Sequence, residues 1–330
     1  MSKSKFLSVV AASLLASAGM VHAQAPAFPS KPVRIVVPYA PGGATDIVAR
    51  IVGEEMRKSM GQPFIVESKI GANGIVALEE MLKAKDGYTL MVGNVTTNAI
   101  TAVIDAKKMR FDYAKEVVAI QRLADVAAVV VTTATNFAPT NLKELVEFAK
   151  KNPGKLRYGT VGPGSYPHFD VAYLAKKAGD LDLNAIHNKA GASGVINDLV
   201  TGDAQMAFLN AASTIAMVKA GKMKAIAVVA DKRLALYPEV PTMAEAGFAG
   251  IGTIAWQSLF APAATPKPVL EALLKASTDA LATPAVKEAF AKQNFIEPPL
   301  SKNLDDSAKW LAGEIARWTT IANEVKLDLN

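Results

Sequence analysis

The sequence predicts an α/β protein of two lobes, each built on a mostly parallel sheet flanked by helices, with two crossover strands as a hinge. A strand, a glycine-rich or polar loop and a helix recur three times between residues 33 and 98. This repeat is typical of parallel sheets with helices on both faces. The pattern restarts near residue 142, and apolar runs near 117–132 and 224–230 indicate where the chain crosses between the two sets.

The restart predicts a discontinuous first lobe. We expect lobe 1 to comprise 24–125 and 225–330, and lobe 2, 126–224, to be inserted in it. Two lobes joined by two strands form a hinge, with the ligand cleft between them. The glycine turns follow the strands, and ligands of open α/β sheets bind at the carboxyl ends of strands.

The first strand and its loop organise the rest of the chain. Val33–Val37 is a β-branched apolar run, typical of a buried parallel strand, and Pro38 ends it. Gly42 and Gly43 then form a turn, and an amphipathic helix begins at Ala44. Such a turn leaves N–H groups free at the positive end of a helix, which attracts anions. Alternatively, it is only the first βα turn of an α/β fold.

Further elements follow in the same alternating order. Strands are predicted at 64–67, 88–92, 156–160, 183–188, 205–209, 224–229 and 256–260. Helices are predicted at 75–83, 142–150, 166–177, 194–200, 268–282, 284–293 and 304–325. Polar loops are predicted at 93–98 and 210–213.

The N-terminus predicts secretion. Lys3 and Lys5 precede an apolar run, and Val21-His-Ala23 is a small-residue cleavage site, so 1–23 is predicted to be a signal peptide. The chain has no cysteine, which favours a bacterial periplasm over a disulfide scaffold. Removing Lys3 and Lys5 lowers the formal net charge from +6 to +4, and no basic block suggests nucleic-acid binding.

No enzyme motif is complete in this chain. The glycines at 42–43 and 162–164 lack the remainder of the phosphate-binding fingerprints. Ser165 and His168 lie one helical turn apart and could form part of a hydrolase triad, although residues at a helix start are more often caps and packing groups. With His168 and His187 as the remaining histidines, we expect no metal site and no cofactor.

One kind of loop recurs instead of a catalytic group. Small, polar or glycine-rich loops follow the strands at 40–45, 94–98, 160–165, 189–193 and 210–213. Their N–H groups and hydroxyls suit an anion, most simply a carboxylate. Tyr39, Tyr166 and Phe169 could wall such a pocket or could serve only in packing.

The chain resembles the tripartite tricarboxylate transporter receptors, the Bug-type periplasmic binding proteins. The motifs that carry the resemblance are VVPYAPGGATD at 36–46, GQP at 61–63, GANG at 71–74, DGYTL at 86–90, YGTVGPGS at 158–165 and PEVPT at 238–242. They occur in order over nearly the whole mature chain. The resemblance implies a type II-like two-lobed fold that closes on an organic acid and delivers it to a permease of one large and one small membrane subunit, with the receptor itself monomeric.

The resemblance also implies where the ligand is held. In the family, backbone N–H groups and hydroxyls of the first loop and of the facing lobe hold the carboxylate. With the loops described above, the candidate ligand-binding residues are Tyr39, Ala40, Gly42, Gly43, Thr45, Asp46, Asn94, Thr160, Gly162, Ser165, His168, Ala190, Gly191 and Asn210.

Two departures from the family pattern leave the substrate open. Many relatives carry an acidic residue where this chain has Ala172, and many read Asp-Asn where it has Leu209-Asn210. Both positions bear on the far end of the ligand. Two other functions remain open at this stage: a sensor that presents its closed form to a membrane kinase, and the hydrolase built on Ser165 and His168.

Overall fold

The computed structural model describes residues 28–188, 190–325 and 327. The predicted signal peptide, 1–23, and the predicted mature start near Gln24 lie outside the described residues. Within the described ranges, none of the helices combines the length and the apolar character that a membrane crossing requires.

The described chain alternates strands and helices around two sheets. The strands are β1 Val33–Val37, β2 Phe64–Ser68, β3 Thr89–Asn94, β4 Val117–Val126, β5 Ala128–Thr133, β6 Arg157–Thr160, β7 Asn184–His187, β8 Met206–Asn210, β9 Met223–Val229, β10 Ala255–Pro262 and β11 Phe295–Ile296. The main helices are α1 Ala44–Met60, α2 Ile75–Leu82, α3 Leu142–Lys151, α4 Tyr166–Lys177, α5 Ala192–Thr201, α6 Ala211–Lys219, α7 Lys267–Ala282, α8 Pro284–Gln293 and α9 Leu304–Val325. Short helical turns occur at Ala72–Gly74, Thr96–Ile100, Thr101–Ile104, Ala106–Lys108 and Tyr113–Glu116.

Each sheet is mixed. The first has the order β11-β4-β10-β3-β1-β2 and the second the order β7-β6-β8-β5-β9. Pairing is parallel between β1 and its neighbours β2 and β3, and between β6 and its neighbours β7 and β8. Pairing is antiparallel along β4, β5, β9 and β10. The parallel part of each sheet therefore presents its loops along one edge.

The first strand is buried on both faces, as its sequence predicts. Val33, Ile35 and Val37 pack with the apolar side of α1, whereas Val36 packs with Leu78 of α2. Successive side chains of a strand point to opposite faces, so a continuous β-branched run fits a strand that is covered by helices on both sides. This double cover fixes where the loop after β1 begins.

The strand pairings show where the chain passes between the two sheets. The chain leaves the first sheet at the end of β4 and enters the second at β5, with Ala127 between them. β9 pairs with β5 in the second sheet, and the chain rejoins the first sheet only at β10. The expected boundary at residue 225 therefore falls inside a strand of the second sheet. A strand's sequence does not specify which sheet supplies its distant partner.

Helix α4 contacts elements of both sheets. Its Phe169 ring meets Trp318 of α9 edge to face, with ring centroids 5.6 Å apart. The buried carboxylate of Asp170 accepts hydrogen bonds from the backbone N (3.0 Å) and Oγ1 (2.7 Å) of Thr253, in the segment that returns the chain to the first sheet. Burial raises the pKa of Asp170 to about 7. Helix α4 therefore connects the two halves of the molecule.

Two predicted loops are helical in the structure. Residues 93 and 94 finish β3, and the chain then turns directly into the helical turns Thr96–Ile100 and Thr101–Ile104. Likewise Asn210 ends β8 and is followed at once by α6. Neither junction contains glycine or proline after the strand, so the usual sequence signal for a boundary is missing.

Candidate ligand-binding site

The predicted site residues lie at or just after the ends of β1, β3, β6, β7 and β8, in the two sheets. Helix α1 begins after β1, and α4, α5 and α6 begin after the parallel strands β6, β7 and β8. The two edges meet where the backbone N of Tyr166, the first residue of α4, donates to Thr96 Oγ1, just beyond β3, at 3.4 Å. The start of α4 and the end of β3 are therefore in contact across the two sheets.

The first loop exposes its backbone. Ala40, Gly42 and Gly43 are exposed. Gly42 has φ 88°, a conformation that only glycine adopts readily, and no atom comes within 4 Å of the place a Cβ would take. Gly43 is the N-cap of α1 and makes no side-chain capping hydrogen bond with any described residue. The start of α1 can therefore offer N–H groups to a ligand.

Asp46 stabilises the loop from within. Its carboxylate accepts a hydrogen bond from the backbone N of Gly42 at 3.0 Å and pairs with Arg50 at 2.9 Å. Burial alone would raise the pKa of Asp46, but the bonds from Arg50 and Gly42 outweigh it and hold the pKa below its usual value. The carboxylate is therefore charged and already paired, and it shapes the loop around Gly42.

Thr45 is also directed inward. Its Oγ1 donates to Oε1 of Gln257, in β10, at 2.7 Å, and both side chains are buried. This bond ties the first turn of α1 to the strand that rejoins the first sheet. Thr45 thus fixes the position of the helix start.

Two tyrosines hold two asparagines in matching ways. Tyr39 donates to Oδ1 of Asn94, at the end of β3, at 3.0 Å. Tyr166 donates to Oδ1 of Asn210, at the end of β8, at 2.8 Å. Burial raises the pKa of both phenols, so both stay neutral donors. One pair belongs to the first sheet, and the other extends from the start of α4.

The second loop turns around Gly162. Thr160 is fully buried, and its Oγ1 contacts both the Gly162 backbone and Nδ1 of His187 at 2.6 Å. Ser165 is the N-cap of α4, yet its side chain accepts no capping bond among the described residues. Instead its Oγ donates to the carbonyl oxygen of Gly162 at 2.7 Å. The hydroxyl of Ser165 is therefore bonded to the loop and does not cap the first turn of α4.

His168 binds backbone rather than Ser165. Its Nδ1 accepts from the backbone N of Gly164 at 3.2 Å, and its ring stands 4.8 Å from that of His187. Burial, followed by the neighbouring His187, lowers the pKa of His168 to about 4. The ring is therefore neutral at pH 7. The contact that a Ser165–His168 hydrolase needs is absent between these two described side chains, because each is bonded to the loop backbone.

The third loop begins at an exposed turn. Ala190 N donates to Oδ1 of Asn188 at 2.9 Å, and Gly191 is the N-cap of α5 with φ 72°. Among the described residues, α5 starts without a side-chain cap, as does α6 after Asn210. The four helices α1, α4, α5 and α6 therefore all start without a side-chain cap from the described part of the chain.

The structure adds three residues that sequence reasoning missed. Thr96 bonds the start of α4, Gln257 bonds Thr45, and His187 bonds Thr160. Each partner lies far along the chain or in the other sheet. The predicted loop around 94–98 and the predicted strand at 256–260 contained the first two, but their sequence carries no signal for these pairings.

Comparisons with known proteins agree with this architecture. The sequence model of the family described as "Tripartite tricarboxylate transporter family receptor" matches residues 48–327. The solved structure of a periplasmic transporter is 33% identical, with a TM-score of 0.81, and the match covers 92% of this chain and 100% of that one.

Two further structures contain acids. MatC from Rhodopseudomonas palustris, solved with bound malate, is 29% identical with a TM-score of 0.78, and the match covers 89% of this chain and 99% of that one. A second R. palustris protein, solved with adipate, is 26% identical with a TM-score of 0.81, over 91% and 98% of the two chains. Together with the two mixed sheets, these likenesses confirm the predicted two-lobed binding-protein fold. We call the half with the first sheet the first lobe and the other half the second lobe.

Proposed function

This chain belongs to the tripartite tricarboxylate transporter receptor family, and from that membership we propose that it captures an organic carboxylate between its lobes and delivers it to a membrane permease. The observation that carries the proposal is that α1, α4, α5 and α6, which follow strands of the two sheets, all start without a side-chain cap from any described residue. Helix starts of this kind favour anions through free N–H groups and the helix dipole. Two similar proteins were solved with the carboxylates malate and adipate, which supports a carboxylate as the anion.

The charges of the loops support a receptor that holds its ligand mainly through neutral donors. Asp46 is paired with Arg50, and the His168 ring is neutral at pH 7. An anion in this region would meet backbone N–H groups, the Ser165 hydroxyl and the two asparagine amides. Hydrogen bonds to a charged partner contribute roughly 1.5–3 kcal/mol each, so a few of them suffice for micromolar affinity.

A ligand screen tests the proposal directly. We expect the melting temperature of the mature protein to rise with mono-, di- or tricarboxylic or aromatic acids, since a ligand at about 100 times its Kd adds roughly 2.7 kcal/mol of stability. Gly42→Val, which places a branched side chain at a left-handed position in the first loop, should abolish the response. Gly221→Val is a matched control, because Gly221 also has positive φ with open space around it but lies between α6 and β9. An unchanged melting temperature with every acid would contradict the proposal.

Location and partner complete the proposal. The family consists of periplasmic binding proteins, and we propose that the mature chain starts near Gln24 and works in the periplasm as a monomer. Intact-mass measurement of secreted protein tests the cleavage, and retention of residues 1–23 would refute it. Acid uptake by cells should require both this chain and the permease, whereas a sensor would change gene expression without supporting uptake.

A further inference from the structure

Asn94 and Asn210 occupy equivalent places in the two lobes. Each is the last residue of a strand, β3 in the first sheet and β8 in the second, at the edge where the helix starts gather. Their side-chain oxygens are both taken by a tyrosine hydroxyl, from Tyr39 at 3.0 Å and from Tyr166 at 2.8 Å. The two lobes therefore carry the same device: a tyrosine that orients an asparagine amide.

With their oxygens bonded to the tyrosines, the two asparagine side chains leave only the amide nitrogen Nδ2 for a ligand. Oδ1 of Asn94 also accepts the backbone N–H of Thr97 at 3.3 Å, which only an oxygen can do, so the amide cannot be turned around. Among the described residues, no acceptor contacts Nδ2 of Asn94 or of Asn210. Neither nitrogen is among the described side-chain atoms that are both inaccessible to solvent and without a hydrogen-bond partner. Both asparagines therefore present N–H donors.

The two amides lie close to the junction of the lobes. Thr96, two residues beyond Asn94, accepts the backbone N of Tyr166. Tyr39 is near enough to Tyr166 to contribute to its raised pKa, after burial and the Asp170 charge. A ligand between the helix starts would thus meet one amide from each lobe.

The carboxylates nearby are already engaged. Asp46 is the one acidic side chain among the predicted site residues, and it pairs with Arg50 and Gly42. Asp170 accepts from Thr253, and Asp198, on α5, accepts from Nδ2 of Asn188 at 2.9 Å. In the described part of the site, an ammonium group of a ligand would therefore face N–H donors and no free carboxylate. Burying a charge without a partner is strongly unfavourable.

We propose that the Nδ2 groups of Asn94 and Asn210 donate to oxygen atoms of the ligand, and that the protein therefore selects acids without an amino group, such as dicarboxylic or 2-hydroxy acids, over the matching 2-amino acids. This inference rests on the proposed function, because it concerns the specificity of the same cleft. Tyr39 and Tyr166 act as positioning residues that keep the amide nitrogens turned toward the ligand.

Matched acid pairs test the selectivity by calorimetric titration. The pairs are malate and aspartate, 2-hydroxyglutarate and glutamate, lactate and alanine, and phenyllactate and phenylalanine, which differ only in carrying a hydroxyl or an ammonium group. We expect the hydroxy acid of the binding pair to bind at least about tenfold more tightly than its amino partner. Equal or tighter binding of the amino acid would overturn the inference and leave the proposed function intact. Where the melting-temperature screen identifies a different acid, that acid and its 2-amino derivative form the test pair, and failure of every acid in the screen would overturn both.

Variants locate the selectivity in the amides. Asn94→Asp and Asn210→Asp exchange a donor for an acceptor at nearly constant shape. Each should therefore raise the Kd of the hydroxy acid by at least about tenfold and reduce the preference for the hydroxy acid over the amino acid, measured as the ratio of their Kd values. Asn184→Asp is the control, since Asn184 lies exposed at the other end of β7 and contacts Gly154. Tyr39→Phe and Tyr166→Phe should narrow the same ratio by a smaller factor. A ratio that changes equally in the control, or in none of the variants, would refute the role of the amides.

Discussion

Helices α3 and α4 both begin after a residue type that commonly caps helices, Asn141 and Ser165, yet only Asn141 accepts a capping hydrogen bond within the described chain. At α3, Asn141 Oδ1 accepts the backbone N of Glu144 at 2.9 Å, and the Glu144 carboxylate accepts from Thr140 N at 2.8 Å. Those bonds from Thr140 also hold the pKa of Glu144 below its usual value. The first turn of α3 therefore satisfies its own donors, in the manner of a capping box.

At α4 only half of this arrangement is present. His168 takes the place of Glu144 and accepts the backbone N of Gly164, but Ser165 donates to Gly162 instead of accepting from the helix. The N–H of Tyr166 is satisfied by Thr96 of the first lobe. The difference teaches that a residue type at a helix start does not determine its role. The start of α3 serves local stability, whereas the start of α4 is left available to partners outside its own lobe.

The largest expected effect is at the start of α4, where His168 should make the free energy of unfolding depend on pH. The folded pKa of His168, about 4, lies below its ordinary value of 6.5, so stability from this site is present above pH 6.5 and is lost as the pH falls toward 4. In His168→Gln the amide oxygen can still accept from Gly164 N but does not titrate. Between pH 7 and pH 4, the stability of this variant relative to the parent should increase by roughly 3 kcal/mol.

Urea unfolding at a series of pH values measures this contrast. The comparison uses the difference between variant and parent, because Asp170, whose pKa is raised to about 7, contributes a slope of the opposite sign in both proteins. His187→Gln serves as a control at the neighbouring ring, which is more exposed. A difference that stays constant with pH would show that His168 is not held neutral by the fold.

The next contrast concerns ligand affinity. Ser165→Ala removes a hydroxyl that can turn from the Gly162 carbonyl to an anion in the cleft. We expect the Kd for the ligand to rise by at least about tenfold, or 1.4 kcal/mol. Gly162 O keeps the backbone N of Ser165 as a donor, so the apo melting temperature should change little. Calorimetric titration beside an apo melting curve measures both, and an unchanged Kd would eliminate Ser165 as a ligand contact.

The smallest expected effect is the reverse of the Ser165→Ala result: a loss of stability without a loss of ligand affinity. Asn141→Ala removes the cap of α3 and should lower the free energy of unfolding by about 1 kcal/mol. Ligand affinity should stay the same, because α3 follows β5, which carries no predicted site residue. If Asn141→Ala weakened binding as much as Ser165→Ala, the distinction between the two starts would not hold.

Sequence patterns predicted the local elements better than their partners. Helix Tyr166–Lys177 was predicted with its observed bounds, because Pro167 at the first turn and the apolar spacing are local signals. Helix α6 was missed, since Asn210 is both the end of a strand and the N-cap of the helix, with no turn residue between. The sheet of β9 was misplaced, because its pairing with β5 is set by distant packing.

The same limit applies to the site. Gly42, Gly162 and Gly191 were predicted from their loops, and all three have positive φ in the structure. The direction of a side chain was not predictable: Asp46 turns to Arg50, and Thr45 turns to Gln257, 212 positions away. Whether these residues contact a ligand stays a prediction.

Helix α4 has a consequence for the chain as a folding unit. Its Tyr166, Phe169 and Tyr173 pack into the cluster that contains Trp256 and Trp318 of the first lobe. A fragment containing only the second lobe would expose this aromatic face to water, and the first lobe would lose part of its own core. We therefore expect the two lobes to unfold as one cooperative unit, with coinciding urea transitions by circular dichroism and by tryptophan fluorescence. An exchange of a whole lobe would therefore have to bring a matching surface for α4 with it.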